Sequence, residues 1–171
     1  VTAPRVVLVG PPGSGKSTVG AVLAERLGTT LRDTDTDIEQ SAGRAIPDIF
    51  VEDGEAHFRA LEAAAVRAAL GGHDGVVSLG GGAVLDAGTR ALLAPLPVVF
   101  LQVALADAIR RVGLDSARPL LAVNPRQQWR TLMEARRPLY EEVASTAIDT
   151  EGLTPEEVAQ AIVDAMELTA A

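Results

Sequence analysis

The sequence predicts an α/β fold in which one parallel sheet is covered by helices on both faces. Short apolar runs rich in β-branched residues alternate with stretches of helical period. The 171 residues are 47% apolar but only 3% aromatic, so the core must be built from Ala, Val, Leu and Ile, which suits α/β packing better than a β-sandwich. The length supports one well-buried core and is short for two domains joined by a linker.

The first strand is Val6 to Val9, apolar throughout as a doubly covered parallel strand should be, and it ends at Gly10 in a loop rich in Gly and Pro. Ser17 to Leu27 follows as a helix with Val19, Val22, Leu23 and Leu27 on one face and Gly28 as its stop. A second strand then runs toward Asp33, with Asp37 already turning into the next helix. Ile46, Ile49 and Phe50 mark a short helix after the turn at Gly43, and Glu55 to Leu70 a longer one ended by Gly71 and Gly72. Val76 to Leu79 is the third strand and runs into Gly80, Gly81 and Gly82. Gly88 to Leu93 reads as helix, Val98 to Val103 as the fourth strand and Ala104 to Val112 as helix. Gly113 to Pro125 has no sustained period and reads as a mobile loop. Arg126 to Glu142 is helical, Ser145 to Asp149 is the last strand, and a capping box opens the final helix, with Thr154 as N-cap, Pro155 at N1 and Glu157 at N3. No repeat or low-complexity tract interrupts this order.

Charge and composition exclude several classes of function. A net charge of −8 opposes binding to a polyanionic backbone, so nucleic acid is not an expected partner. There is no cysteine, hence no disulfide or thiolate metal site. No apolar run is long enough to span a bilayer and no cleavable signal pattern precedes the first strand, so a soluble, cytoplasmic protein without a membrane partner is the expectation.

Gly10, Gly15, Lys16 and Ser17 match the spacing GxxxxGK[ST] between a strand and a helix, the context that a P-loop requires. Fourteen of the fifteen basic residues are arginine, and Lys16 is the only lysine, at the one place where a compact ammonium differs in kind from a guanidinium. In such a loop Gly13, Ser14, Gly15, Lys16, Ser17 and Thr18 surround the phosphates of ATP. Lys16 bridges the β- and γ-phosphates, and the Ser17 hydroxyl is a Mg²⁺ ligand. Asp33 and Asp35, two apart at the end of the second strand, would face the phosphates together while the chain stays extended, one toward the metal and the other toward the acceptor hydroxyl. Asp37 is read as a cap or turn residue. Arg59, Arg118 and Arg136 could clamp anions, although a lone helical arginine is more often solvated or ion-paired. The triple glycine either admits a ligand closely or makes a tight turn. His57 and His73 lack metal-ligand spacing and are read as structural, and Trp129 as a core or lid-packing residue.

Taken together, GPPGSGKST at Gly10 to Thr18, DTD at Asp33 to Asp35, GRAIPDIF at Gly43 to Phe50, FRALE at Phe58 to Glu62, SLGGGA at Ser78 to Ala83, RPLL at Arg118 to Leu121 and RRPLY at Arg136 to Tyr140 resemble the shikimate kinase family along nearly the whole chain. The resemblance implies a three-layer αβα fold with a five-stranded parallel sheet in the order 2-3-1-4-5, a substrate-binding segment over about 34–61 and a lid over about 113–125. It implies that Arg59 and Arg136 hold the carboxylate of shikimate, and that Asp35 and the glycines Gly80, Gly81 and Gly82 meet its hydroxyls. Asp35 would orient or deprotonate the attacking hydroxyl, Asp33 would contact Mg²⁺ through water, Arg118 would reach the transferring phosphoryl group, and Arg111 with Pro155 would flank adenine. The expected enzyme is a monomer that phosphorylates shikimate with ATP. The alternatives are a kinase for gluconate or a nucleoside monophosphate, and a nucleotide-dependent switch without catalysis. No strand ends in the apolar run plus Asp of an ordinary Walker B, so the metal would rest on Ser17 and Asp33.

Overall fold

The computed structural model describes residues 2–113 and 124–170. Its centre is a five-stranded parallel sheet in the order β2-β3-β1-β4-β5, formed by Val6–Val9 (β1), Leu31–Asp33 (β2), Val76–Ser78 (β3), Val98–Gln102 (β4) and Thr146–Asp149 (β5). The helices are Lys16–Leu27 (α1), Thr34–Ala42 (α2), Ile46–Asp53 (α3), Glu55–Gly72 (α4), Ala87–Leu93 (α5), Leu105–Gly113 (α6), Pro125–Val143 (α7) and Pro155–Met166 (α8).

The central strand is apolar at every position because both faces of the sheet are covered. Val6 and Leu8 of β1 pack with Val19, Leu23 and Leu27 of α1 and Val158 and Ile162 of α8. Val7 and Val9, one residue out of phase, pack on the other face with Val66 of α4, Leu93 of α5 and Tyr140 of α7. A third apolar group, Ile38, Ile49 and Phe58, joins α2, α3 and α4 beside the sheet. Trp129 is buried in the core with α7. Among the described residues no helix is long and apolar enough to cross a membrane.

The caps set the element ends. Gly28 closes α1 in a left-handed conformation, and the box of Thr154 and Glu157 opens α8 with Pro155 at its first turn. Two elements differ from the sequence reading. A one-turn 3₁₀ helix over Ala83–Leu85 follows the glycine run. More consequentially, β2 stops at Asp33 and α2 begins at Thr34. Asp33 Oδ1 accepts from the amides of Asp35 (2.9 Å) and Thr36 (3.5 Å), and these capping bonds end the extended chain before the expected alternation can operate. Asp37 is not a cap. It lies in the first turn of α2 and takes a 2.7 Å ion pair from Arg32.

Candidate active site

The loop between β1 and α1 follows from its glycines. Gly13 and Gly15 adopt φ of 81° and 84°, a region costly for a residue with a Cβ, and Gly15 is the N-cap of α1. The first main-chain amides of α1 have no helical carbonyl to bond, so they form the positive end of the helix next to the loop. Lys16 folds over that loop, its Nζ 2.7 Å from the Gly10 carbonyl oxygen and 3.0 Å from that of Pro11. Ser17 donates its hydroxyl proton to Asp33 Oδ2, so Asp33 caps α2 with one oxygen and holds Ser17 with the other.

Lys16, Ser17, Asp33, Asp35, Ser78 and Gly81 line one cleft at the carboxyl edge of the sheet. Although Asp33 and Asp35 do not share an extended strand, the first turn of α2 still brings Asp35 to this cleft. The loop after β5 reaches the same edge, tied by Thr150 Oγ1 donating to the Gln102 carbonyl (2.6 Å), and Pro155 opens α8 just beyond it. Arg118 and most of the expected lid lie outside the described residues, as does the side chain of Arg111.

The glycine run makes a tight turn, the Ala83 N–H donating to the Gly80 carbonyl oxygen at 3.1 Å, and its bare backbone also admits neighbouring side chains of the protein. None of Gly80, Gly81 and Gly82 is in the left-handed region, so the turn itself does not demand glycine. Each instead makes room for a different neighbour. A Cβ on Gly80 would stand 2.6 Å from Asp35 Oδ1 and 2.9 Å from Glu62 Oε2; on Gly81 it would meet the Pro12 ring at 2.9 Å; and on Gly82 it would lie 2.7 Å from Arg59 Cζ. One three-residue turn therefore touches the phosphate loop on one side and a charged cluster on the other.

That cluster consists of Asp35 from α2, Arg59 and Glu62 from α4 and Arg136 from α7. Arg59 Nη1 donates to Glu62 Oε1 at 2.7 Å, and its guanidinium carbon lies 5.2 Å and 6.0 Å from the ring centroids of Phe58 and Phe50. Arg59 Nε is buried without a hydrogen-bond partner among the described residues. Burial raises the pKa of Glu62 above the usual carboxylate range; Arg59 opposes that shift by charge and hydrogen bond, Asp35 adds to it by repulsion, and Arg136 opposes it. Arg136 is 6% exposed. Two cations and two carboxylates thus converge beside the phosphate loop, an arrangement that can hold a small anionic hydroxy compound and orient one of its hydroxyls.

Glu62 and Tyr140 escaped sequence reasoning. A glutamate on an amphipathic helix ordinarily faces water, and the only available hint was its i,i+3 spacing from Arg59. Tyr140 stands four residues after Arg136, one turn on along the same helix face. His57 is an exposed residue 3.7 Å from Asp53, and His73 Nε2 lies 2.9 Å from the Thr30 carbonyl oxygen, both in structural positions.

Residues 12–167 match the family model described as shikimate kinase. The chain is 64% identical over 168 residues to a shikimate kinase of Streptomyces coelicolor, covering 98% of both chains. Its fold is similar to that of a shikimate kinase from Acinetobacter baumannii solved in complex with shikimate, with a TM-score of 0.93 and 38% identity over 98% of this chain and 94% of that one. A gluconokinase from Sinorhizobium meliloti has a TM-score of 0.60 at 21% identity, over 96% of this chain and 92% of that one, which speaks to the fold alone.

Proposed function

The chain belongs to the shikimate kinase family, and on that premise we propose that it transfers the γ-phosphoryl group of ATP to the 3-hydroxyl of shikimate, a step of aromatic amino acid biosynthesis. The observation that carries the reading is the convergence of Asp35, Arg59 and Arg136 around Gly80–Gly82, within reach of the loop that carries Lys16.

In this reading Arg59 and Arg136 hold the carboxylate of the acid as a bidentate-capable pair, and the glycine turn meets its hydroxyls. Asp35 orients the attacking hydroxyl and takes its proton. The new bond forms between that oxygen and the γ-phosphorus while the bond from the γ-phosphorus to the β,γ-bridging oxygen breaks, and ADP leaves with the electron pair. Lys16 leaves the Gly10 and Pro11 carbonyls for the phosphates, and the amides of the loop and of the α1 N-terminus neutralise the remaining charge. We assign Arg118 to the transferring group, Arg111 and Pro155 to adenine, residues 34–61 to acceptor binding and 113–125 to a lid of a single, monomeric domain.

The residues present fit Mg²⁺. Mg²⁺ takes hard oxygen ligands and keeps several waters, so it needs few protein ligands. Ser17 and Asp33 offer hard oxygens at the cleft and would hold it, Asp33 through water. The ion would supply charge neutralisation on the phosphates.

The test is ADP release measured by coupled assay with Mg²⁺ and ATP, with and without shikimate. Acceptor-dependent release with shikimate, and none with gluconate or a nucleoside monophosphate, is expected. Release that does not depend on shikimate, or that favours gluconate, overturns the assignment.

A further inference from the structure

Tyr140 is wholly buried on α7, one turn after Arg136. Its hydroxyl donates to the Gly81 carbonyl oxygen at 2.5 Å, and its ring lies against Phe100 of β4 at 5.0 Å between centroids, 30° from parallel. The charge of Arg136, one turn earlier on α7, pulls the pKa of the same phenol down. A phenol has one proton to give and a guanidinium only donates. With that proton committed to Gly81, the phenol anchors α7 to the glycine turn one helical turn beyond Arg136. A chain of contacts therefore runs from Arg136 along one turn of α7 to Tyr140 and through its hydroxyl to the Gly81 carbonyl.

Two features make this chain more than packing. Pro138 lies inside α7 between Arg136 and Tyr140 and removes a main-chain bond from the turn that must aim the guanidinium. In a planar trans peptide the Gly81 carbonyl and the Gly82 N–H point in opposite directions, so drawing the carbonyl toward Tyr140 turns the Gly82 amide away from it. The same contact thereby fixes both an anion-holding side chain and a main-chain donor of the neighbouring turn.

We propose that Tyr140 is a positioning residue for the acid substrate, setting the separation between Arg136 and the glycine turn so that carboxylate and hydroxyls are gripped together. This rests on the acceptor site proposed above. Burial drives the phenol pKa up to about 12 against the pull of Arg136, so the hydroxyl keeps its proton and the tie is intact throughout the neutral range.

Tyr140→Phe keeps the ring and deletes the tie. The KM for shikimate should rise about tenfold, while the KM for ATP stays within about twofold of the parent. Combined with Arg136→Lys, the effect of Tyr140→Phe on the shikimate KM should shrink, because both substitutions break the same chain. Ile162→Val, in the opposite core, should lower Tm without moving the shikimate KM. Tyr140 is the only tyrosine of the 171 residues, so biosynthetic 3-fluorotyrosine places a single ¹⁹F reporter at the tie even if the Phe variant folds poorly. Its resonance should shift on adding shikimate and not on adding ATP alone. An unchanged shikimate KM, equal rises in both KM values, full additivity with Arg136→Lys, a matching KM rise in Ile162→Val, or a ¹⁹F signal blind to shikimate overturns the proposal. Absence of shikimate-dependent turnover in the parent protein would instead fail the acceptor assignment itself.

Discussion

The phosphate loop and the acid pocket share a cleft wall and are built on opposite principles. The loop is nine consecutive residues, Gly10 to Thr18, working through main-chain amides, two left-handed glycines and one lysine. The pocket takes Asp35 from α2, Arg59 and Glu62 from α4, a glycine turn after β3, and Arg136 and Tyr140 from α7, and works through charged side chains, of which Glu62 and Arg136 are buried and Asp35 and Arg59 half-buried. Main-chain donors at a helix N-terminus are tolerated without a protein partner, since water or phosphate completes them. Buried charges do need one: the buried Glu62 takes a 2.7 Å ion pair from Arg59, and the buried Arg136 stands one turn before Tyr140 on α7. The loop is a local solution, and the pocket is a tertiary one.

Substitutions can sharpen that contrast. The largest effect belongs to the loop: Lys16→Met should lower kcat at least about a thousandfold, read by steady-state ADP release, because the chain has no other lysine to take its place. Asp35→Asn should lower kcat by about a hundredfold or more while ATP affinity, measured by calorimetry, is nearly kept. Undiminished turnover would remove Asp35 from the reaction.

Adjacent glycines offer a finer division. Gly82→Ala places a methyl against the Arg59 guanidinium, whose flexible end can yield, so the KM for shikimate should rise about tenfold with little loss of Tm. Gly81→Ala presses on the Pro12 ring, so its larger effect should fall on the KM for ATP. If both substitutions move the same KM, the turn does not divide the two regions as drawn.

The smallest effect is a pH dependence of stability. Tyr140 is raised to about 12 in the folded protein from about 10 unfolded, so the folded state holds the proton more tightly. The contribution is fully present below pH 10 and is lost as pH rises from there through 12, on the order of 2–3 kcal/mol at most for a fully buried group. Urea midpoints between about pH 9 and 12 should fall more steeply for the parent than for Tyr140→Phe.

Much of this was legible before any coordinates. The alternation of strands with helices, the caps at Gly28 and Thr154, and the whole phosphate loop follow from short-range rules, because each depends on residues within a few positions of one another. The meeting of Arg59, Arg136 and Asp35 was legible only through likeness to a family. Taken singly, each has the spacing of an ordinary solvated surface residue.

The sequence alone determined the fold class, the sheet-forming segments and the nucleotide loop, since periodicity and turn chemistry are written in contiguous residues. Tertiary structure decided that Asp33 ends its strand as a cap, that the glycine turn makes room for Asp35, Pro12 and Arg59, and that Glu62 and Tyr140 stand inside the molecule, one paired with Arg59 and the other tied to Gly81. These outcomes depend on which side chains from distant segments exclude water from one another, and desolvation is a property of the assembled neighbourhood that no single stretch of chain carries.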